Sequence, residues 1–421
     1  MATTVTNFDA ALKQIYSSSN LAKTTLSRRP LLAMLPKRSD FGGRNMPIVN
    51  VYGDPQGRSA DFGNAQGTKT GGTAPANQVS VDDFLLTRVS NYSIAQVGSE
   101  AAEASKGDAM AFLQALKASI DGAMNSLSNS LETQLFRSGT GSIGTVGQIN
   151  PDSDGSTDLA ALGEEEDIAN FDVNQVLVFS ATDGSSLRAG TLVVSAVNRS
   201  LGRVTVGAAY STVTTDGDFI YAQGDAANGG SNVCISGLSA WIPATTPGGS
   251  DSFFGVNRSV DSRLYGQFTD QSAAAIEDGL ITAGSLSARV GGNPNVCFIN
   301  HVQQRSLIQN LHNSQNYQTV NATTHKGVVS DIGFRSVAIQ GDTGAINVVA
   351  ANKCPAESGF MLEMDKWTLA TLGEPVKFLN LDGNRILRSA TADSVEARLA
   401  FRGNLGCKAP IYNVNIQMPA V

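Results

Sequence analysis

The stretch "SADFGNAQGTKTGGTAPANQ", Ser59 to Gln78, lies between two segments that read as extended strands, "NMPIVNVYG" before it and "VSVDDFLLTRVSNYSIAQVG" after it. It holds one aromatic side chain, Phe62, one lysine, Lys69, and no aliphatic side chain larger than alanine. Paired strands are usually joined by about two to five residues, so a connection of this length is either functional or disordered. The pattern predicts a long polar finger carried on two strands over residues 46–98. In its second strand Leu85, Thr87 and Val89 alternate with Leu86, Arg88 and Ser90, the period of a sheet with one polar face.

Outward from the finger, residues 1–45 read as an arm. It carries seven basic side chains (Lys13, Lys23, Arg28, Arg29, Lys37, Arg38 and Arg44) against Asp9 and Asp40, so it bears +5 and the rest of the chain −12 of a total of −7. A basic arm on an acidic body can contact nucleic acid or an acidic neighbour, while the whole chain is too acidic to be a nucleic-acid-binding module. On the other side, residues 99–140 hold the strongest helical pattern. Leu113, Leu116, Ile120, Met124, Leu127, Leu131 and Leu135 fall on one stripe, with Asp108 as an expected N-cap and Gly139 just past the end. Such a helix is a spine for a domain.

Residues 141–163 read as a linker and 164–226 as a compact β-rich insert, with strands in "NQVLVFS", "GTLVVSAV", "RVTVGAA" and "DFIYAQG". A second linker over 227–259 returns to a mixed unit at 260–375. There "DQSAAAIEDGLITAGSLSARVGG" places Ile276, Leu280 and Ala283 on one helical face, with Asp270 as an N-cap and Gly291 at the end. Residues 376–421 end in two strands broken at Pro410.

At 421 residues the chain can hold two or three domains, and 41% hydrophobic residues suit a packed core. Only 16% are charged, against about a quarter in typical soluble domains, which fits either a surface covered by neighbouring subunits or ordinary compositional drift. The first residues lack the apolar core of a signal peptide, and no apolar run reaches membrane-spanning length. Cys234, Cys297, Cys354 and Cys407 are scattered without Cys-x-x-Cys spacing, which fits reduced thiols in a cytosolic product.

No arrangement points to catalysis or to a cofactor. "GTGSIG", Gly139 to Gly144, matches a dinucleotide fingerprint, but a helix precedes it and a loop follows, the reverse of what phosphate binding needs. Asn150, Asp152, Asp154 and Asp158 fall on liganding positions of a calcium loop with Gly155 at the turn. The twelfth position is Ala161 where a bidentate Glu is required, so an acidic surface loop is the preferred reading. His301, His312 and His325 lack metal-ligand spacing.

The order of these parts, with the helix exit "LFRSGTGSIG" and the closing "ARLAFRGNLGCKAPIYNVNIQ" with its Cys-x-x-Pro, resembles the major capsid proteins of tailed bacteriophages, of the Hong Kong 97 type. The resemblance covers most of the chain except the β-rich insert. It implies an α+β fold with an N-terminal arm, an extended two-stranded loop, a spine helix, and peripheral and axial domains. The implied function is structural: many copies, as pentamers and hexamers, would form an icosahedral shell around double-stranded DNA in the virion. Scaffolding, portal and decoration proteins would be partners, and no membrane is involved. The loop, with Phe62 and Lys69, would reach a neighbouring subunit, and Arg28, Arg29, Lys37 and Arg38 would face inward to DNA. The founder of the type crosslinks loop lysine to asparagine, for which Lys69 with Asn413 or Asn415 are the residues to consider here. A nanocompartment shell enclosing enzymes, and an adhesin using the insert, are the competing expectations.

Overall fold

The computed structural model describes residues 29–54, 59–65, 79–98, 109–151, 159–227, 232–249, 251–313, 319–321, 335–341, 344–380, 383–384, 386–389 and 393–420. A short helix α1 (Pro30–Met34) and strand β1 (Lys37–Arg38) lead into the finger strands β2 (Asn45–Gly53) and β3 (Ser80–Thr87), with a helical turn α2 (Phe62–Ala65) between them. Arg88 interrupts the chain before β4 (Val89–Gly98), and the spine helix α3 (Ala109–Phe136) follows. With 28 residues it is about 42 Å long at 1.5 Å per residue.

The second finger segment therefore does not run as one strand. β3 pairs with β2, whereas β4 pairs antiparallel with β22 (Ser394–Cys407) across its whole length. This belongs to a six-stranded sheet that also takes β1, β19 (Trp367–Thr371), β20 (Lys377–Phe378) and β21 (Ile386–Arg388). The spine helix packs on one face of it. Ile120, Met124, Leu127, Leu131 and Leu135, all on the expected stripe, are buried with Ala95 and Val97 of β4 and Ala397, Leu399, Phe401 and Leu405 of β22. Asp108 and the side chains of Leu113 and Leu116 lie outside the described residues.

The β-rich unit is larger than the sequence pattern indicates. Strands β5 (Ser142–Ile149), β6 (Leu159–Leu162), β7 (Val176–Ser180), β8 (Leu192–Asn198), β9 (Arg203–Val206) and β10 (Phe219–Ala222) form a closed barrel in the order β10-β5-β6-β9-β8-β7. The segment read as a linker over 141–163 supplies two of its six strands. Glycine made "SIGTVGQI" look like loop, yet a Cβ on Gly147 would come within 2.6 Å of the Leu162 carbonyl oxygen. The glycine is there so that two strands can close on each other. Val146, Leu177, Phe179, Leu192, Val194, Val204, Val206 and Ile220 fill the interior.

The barrel is fastened to the body. Gly139 and Gly141, at φ +94° and +92°, carry the outgoing chain past the returning one, and Ala227 N donates to Thr140 O at 2.8 Å. A Cβ on Gly141 would sit 1.9 Å from Asp225 O. Lys353, almost wholly buried, donates to the carbonyl of Ala169 and to Asn170 Oδ1 at 3.1 Å. Arg137 at the end of the spine helix pairs with the buried Asp167.

The remaining chain forms a hairpin, β11 (Ser252–Phe253) with β12 (Val256–Asn257), and a seven-stranded sheet. That sheet joins β13 (Gln267–Asp270), β14 (Val296–Ile299), β15 (Thr319–Asn321), β16 (Arg335–Gly341), β17 (Gly344–Ala350), β18 (Ser358–Leu362) and the last strand β23 (Val414–Gln417) in the order β13-β23-β18-β14-β17-β16-β15. Two further helices belong to this part of the chain. One spans Ile276–Arg289, with Ile276, Leu280 and Ala283 buried as expected, and the other His301–Asn313. The first starts later than Asp270, whose carboxylate instead caps a turn at Ser272 N, 3.0 Å away. Pro410 does separate the two closing strands, which end in different sheets.

The closed barrel gives a direct expectation for excision. Replacing 164–226 leaves β5 and β6 paired only with each other, with their outer edges and apolar face uncovered, so that variant should aggregate. Replacing 140–231 with a short glycine link removes the whole barrel between ends that already touch, because Asn232 Nδ2 donates to Ser138 O at 3.4 Å. That variant should be soluble with a cooperative melt, measured by circular dichroism. Equal aggregation of both would show that the barrel is part of the main core.

Candidate assembly surface

A two-stranded ribbon is marginal by itself in water, so the finger must borrow stability from elsewhere. Its strands have two unlike faces. Inward, Ile48, Phe84 and Leu86 are buried; outward, Pro47, Val49, Val51, Val81 and Leu85 share a face with Asp83, and Val49 and Val51 are 59% and 56% exposed.

Phe84 enters an aromatic socket. Its ring meets Trp241 edge-on at 5.1 Å and Phe253 at 6.4 Å, and Trp241 meets Phe253 at 4.9 Å. The Arg258 guanidinium lies 4.2 Å over Phe253 and is itself held by Asp251 and the Ala240 carbonyl, each at 2.6 Å. Beneath the finger, Gly406 makes room: a Cβ there would come within 2.4 Å of Ile48 and 2.8 Å of Leu86. At the base, Asn404 donates to Thr87 O at 2.8 Å, and Arg88 donates to Phe41 O at 3.0 Å while covering the Phe41 ring. The finger root is thus a fixed part of the body, which the low apolar content of the tip did not foretell. The paired Phe253-Phe254 was the available signal in the sequence.

The arm is also docked, from Arg29 onward. Glu132, fully buried on the spine helix, accepts the N–H groups of Leu31 at 3.1 Å and Leu32 at 3.0 Å, one on each carboxylate oxygen. Burial pushes its carboxyl up to about 7, opposed by those two N–H donors and by the charges of Arg29 and Lys353. Lys37 is half-buried, donates to Leu35 O at 3.2 Å, and is lowered by burial to about 8 although Glu132 counteracts this. Arg38 forms an exposed ion pair with Asp40. Arg29 and Lys37 therefore sit near Glu132 and belong in part to the fold, which tempers the expectation that they serve chiefly as contacts to DNA. Arg28 lies outside the described residues.

Of the other expected residues, Phe62 on α2 is 79% exposed, and Lys69 lies outside the described residues. Asn413 and Asn415 are not available to a neighbour's lysine. Asn413 is buried, accepts from Glu363 N and Trp367 Nε1, and donates to Ala409 O and Pro410 O; Asn415 is buried against Ile242 O. Asp152, Asp154 and Asp158 of the calcium-like loop lie outside the described residues, and Asn150 adopts a left-handed φ of 54°. No group of three metal-ligating side chains occurs among the described residues.

Residues 215–385 match the family model described as SU10 major capsid protein. The match covers less than half of the chain and is a likeness to that family over this segment. Among solved structures, the capsid asymmetric unit of cyanophage A-1(L) is similar with a TM-score of 0.51 at 10% identity, covering 94% of this chain and 92% of that one. At that identity the likeness establishes the fold, the Hong Kong 97 type. More remote likenesses are the capsid of a GTA particle (TM-score 0.44, 7% identity, 94% and 91% covered) and the SrpI encapsulin of Synechococcus elongatus (0.43, 9%, 99% and 96%). No curated protein matches the chain.

Two substitutions test how the chain holds its finger and arm. Phe84→Ala empties the socket and should cost about 3–5 kcal/mol, as for other buried phenylalanines. Glu132→Ala leaves two buried N–H groups without an acceptor, at a cost of about 1–3 kcal/mol each before the gain from removing a buried charge. Chemical denaturation of the dissociated subunit measures both. A stability unchanged by Phe84→Ala would show that the finger root is not held as described.

Proposed function

We propose that this chain builds the icosahedral head of a tailed phage, in rings of five and six copies closed around double-stranded DNA. The observation that carries the reading is the finger root, held rigidly by the body and yet presenting an apolar face that its own subunit leaves uncovered. Single exposed apolar residues are ordinary, but a contiguous face on a projecting ribbon marks an interaction site.

In this reading the six-stranded sheet with the spine helix is the peripheral domain, and the seven-stranded sheet with the helices Ile276–Arg289 and His301–Asn313 is the axial domain around capsomer centres. The barrel is an inserted module. The finger crosses to the neighbouring subunit, with Phe62 as a contact near its tip. The arm faces inward, where Lys13, Lys23 and Arg28 precede the docked segment and are the residues to contact phosphate; Arg29 and Lys37 contribute less because Glu132 draws their charge. Assembly takes place in the host cytoplasm, with scaffolding, portal and decoration proteins as partners.

Replacing residues 59–78 with Asn-Gly, a favoured two-residue hairpin turn, removes little apolar area, so the subunit's secondary structure and melting should stay close to the parent. Shells should be absent or misshapen, because a small loss at each contact multiplies across linked copies. Circular dichroism and sedimentation on one sample measure both. Normal shells from the shortened chain would contradict the reading of the finger, and enzyme cargo in place of DNA in native particles would contradict the genome-enclosing role.

A further inference from the structure

The seam between the barrel and the body holds a lysine amine against a side-chain amide. Lys353 lies in the turn between β17 and β18 and is only 5% exposed. Its Nζ donates to Ala169 O and to Asn170 Oδ1, the latter 3.1 Å away, at the end of the helical turn Glu165–Asn170 that follows β6. Both acceptors are carbonyl oxygens and neither is a carboxylate. The two residues are 183 positions apart, so only the docking of the barrel brings them together.

The surrounding bonds fix which way the Asn170 amide faces. Its Nδ2 donates to Ile143 O at 2.8 Å and faces Asp167 Oδ1 at 3.4 Å, both acceptors. Its Oδ1 receives Lys353 and lies 3.1 Å from the Thr133 hydroxyl, whose proton can go there or to Asn129 O at 3.0 Å. A reversed amide would set donor against donor on both sides. Asp167 is itself buried and paired with Arg137. An amine, a carboxamide and a carboxylate thus meet at the wall of a cleft of about 440 Å³, lined in part by Thr133, Arg137, Asn170 and Lys353.

Each of these groups has a use in joining an amine to an amide. An ammonium is not a nucleophile, whereas a desolvated lysine is. Burial lowers the Lys353 amine to about 8, aided by Arg29 of the arm and opposed by Asp172 and Asp167 of the barrel segment and Glu132 of the spine helix. The Thr133 hydroxyl faces the oxygen on which charge develops during attack. Asp167 touches the nitrogen that has to leave. The fold supplies the encounter of amine and amide in advance.

We propose that Lys353 and Asn170 form an isopeptide bond that ties the barrel covalently to the body of the same chain. The unprotonated Nζ adds to Cγ of Asn170, and the Asp167 carboxylate takes one proton from Nζ and passes it to Nδ2. The Cγ–Nδ2 bond then breaks, and ammonia leaves through the cleft. One amine and one primary amide become one secondary amide and one ammonia, with no oxidant and no water consumed. The bond lies within one chain and needs no neighbour, so its test does not depend on the shell reading.

Mass spectrometry of the full folded chain, intact and after denaturing digestion with trypsin, tests the bond. The parent should be lighter than its sequence by one ammonia. Residues 138–188 should be joined to residues 336–366, because a linked Lys353 is no longer a cleavage site. Lys353→Arg and Asn170→Ala should show neither the loss nor the joined peptide. Asp167→Asn, folded by circular dichroism, should form the joined peptide about a hundredfold more slowly, as for loss of a proton-transfer group. A folded parent of full sequence mass overturns the proposal, and it does so whether or not the variants fold. Ammonia loss without the joined peptide is cyclisation of an asparagine on its own backbone and overturns it equally. Formation in Asp167→Asn at the parent rate overturns the proton relay.

Discussion

Phe84 in its socket of Trp241 and Phe253 is the contact on which the rest of the structure depends. A two-stranded ribbon cannot hold itself in water, and a finger that flopped would lose orientational entropy each time it met a neighbour. Seating one buried aromatic ring, with Ile48 and Leu86 on Gly406, settles that loss within the subunit before association. The subunit then presents a preorganised edge. The outward face of the same strands stays apolar and exposed, and on the proposed shell reading its cover comes from assembly.

A second constraint is electrostatic. In a chain with only 16% charged residues, several charges sit where water cannot reach them. Glu132 joins the docked arm to the spine helix, and Lys353 and Asp167 join the barrel to the body. Such groups add little net stability over apolar packing, yet removing one partner leaves a buried charge without compensation. They fix how the arm, helix and barrel are registered against one another. The raised Glu132 carboxyl and the lowered Lys353 amine both come chiefly from burial, the mark of joints kept for geometry.

Much of this was legible in the sequence where a period dominates. The leucine stripe of the spine helix, the helical face of Ile276, Leu280 and Ala283, and the break at Pro410 all follow from spacing alone. The barrel's first two strands were not legible, because Gly147 and its neighbours answer to a close approach between strands that are separated in sequence by an acidic loop. Nor was the division of the finger at Arg88, which depends on β22 lying some three hundred residues further along the chain. Nothing local singles out Glu132; its role comes from two N–H groups about a hundred residues earlier. Long-range partners, rather than local propensity, made the assembly surface.

The central claim is that the finger is rigid at its root and completed only by a neighbour. Hydrogen exchange at Val49 and Val51, compared between dissociated subunits and closed particles of the same chain, measures it most directly. The account predicts that Phe84 and Leu86 amides are slow in both states, while Val49 and Val51 amides are fast in the subunit and slow in the particle. Equal exchange of those two amides in the two states, or fast exchange at Phe84 in the free subunit, would contradict it.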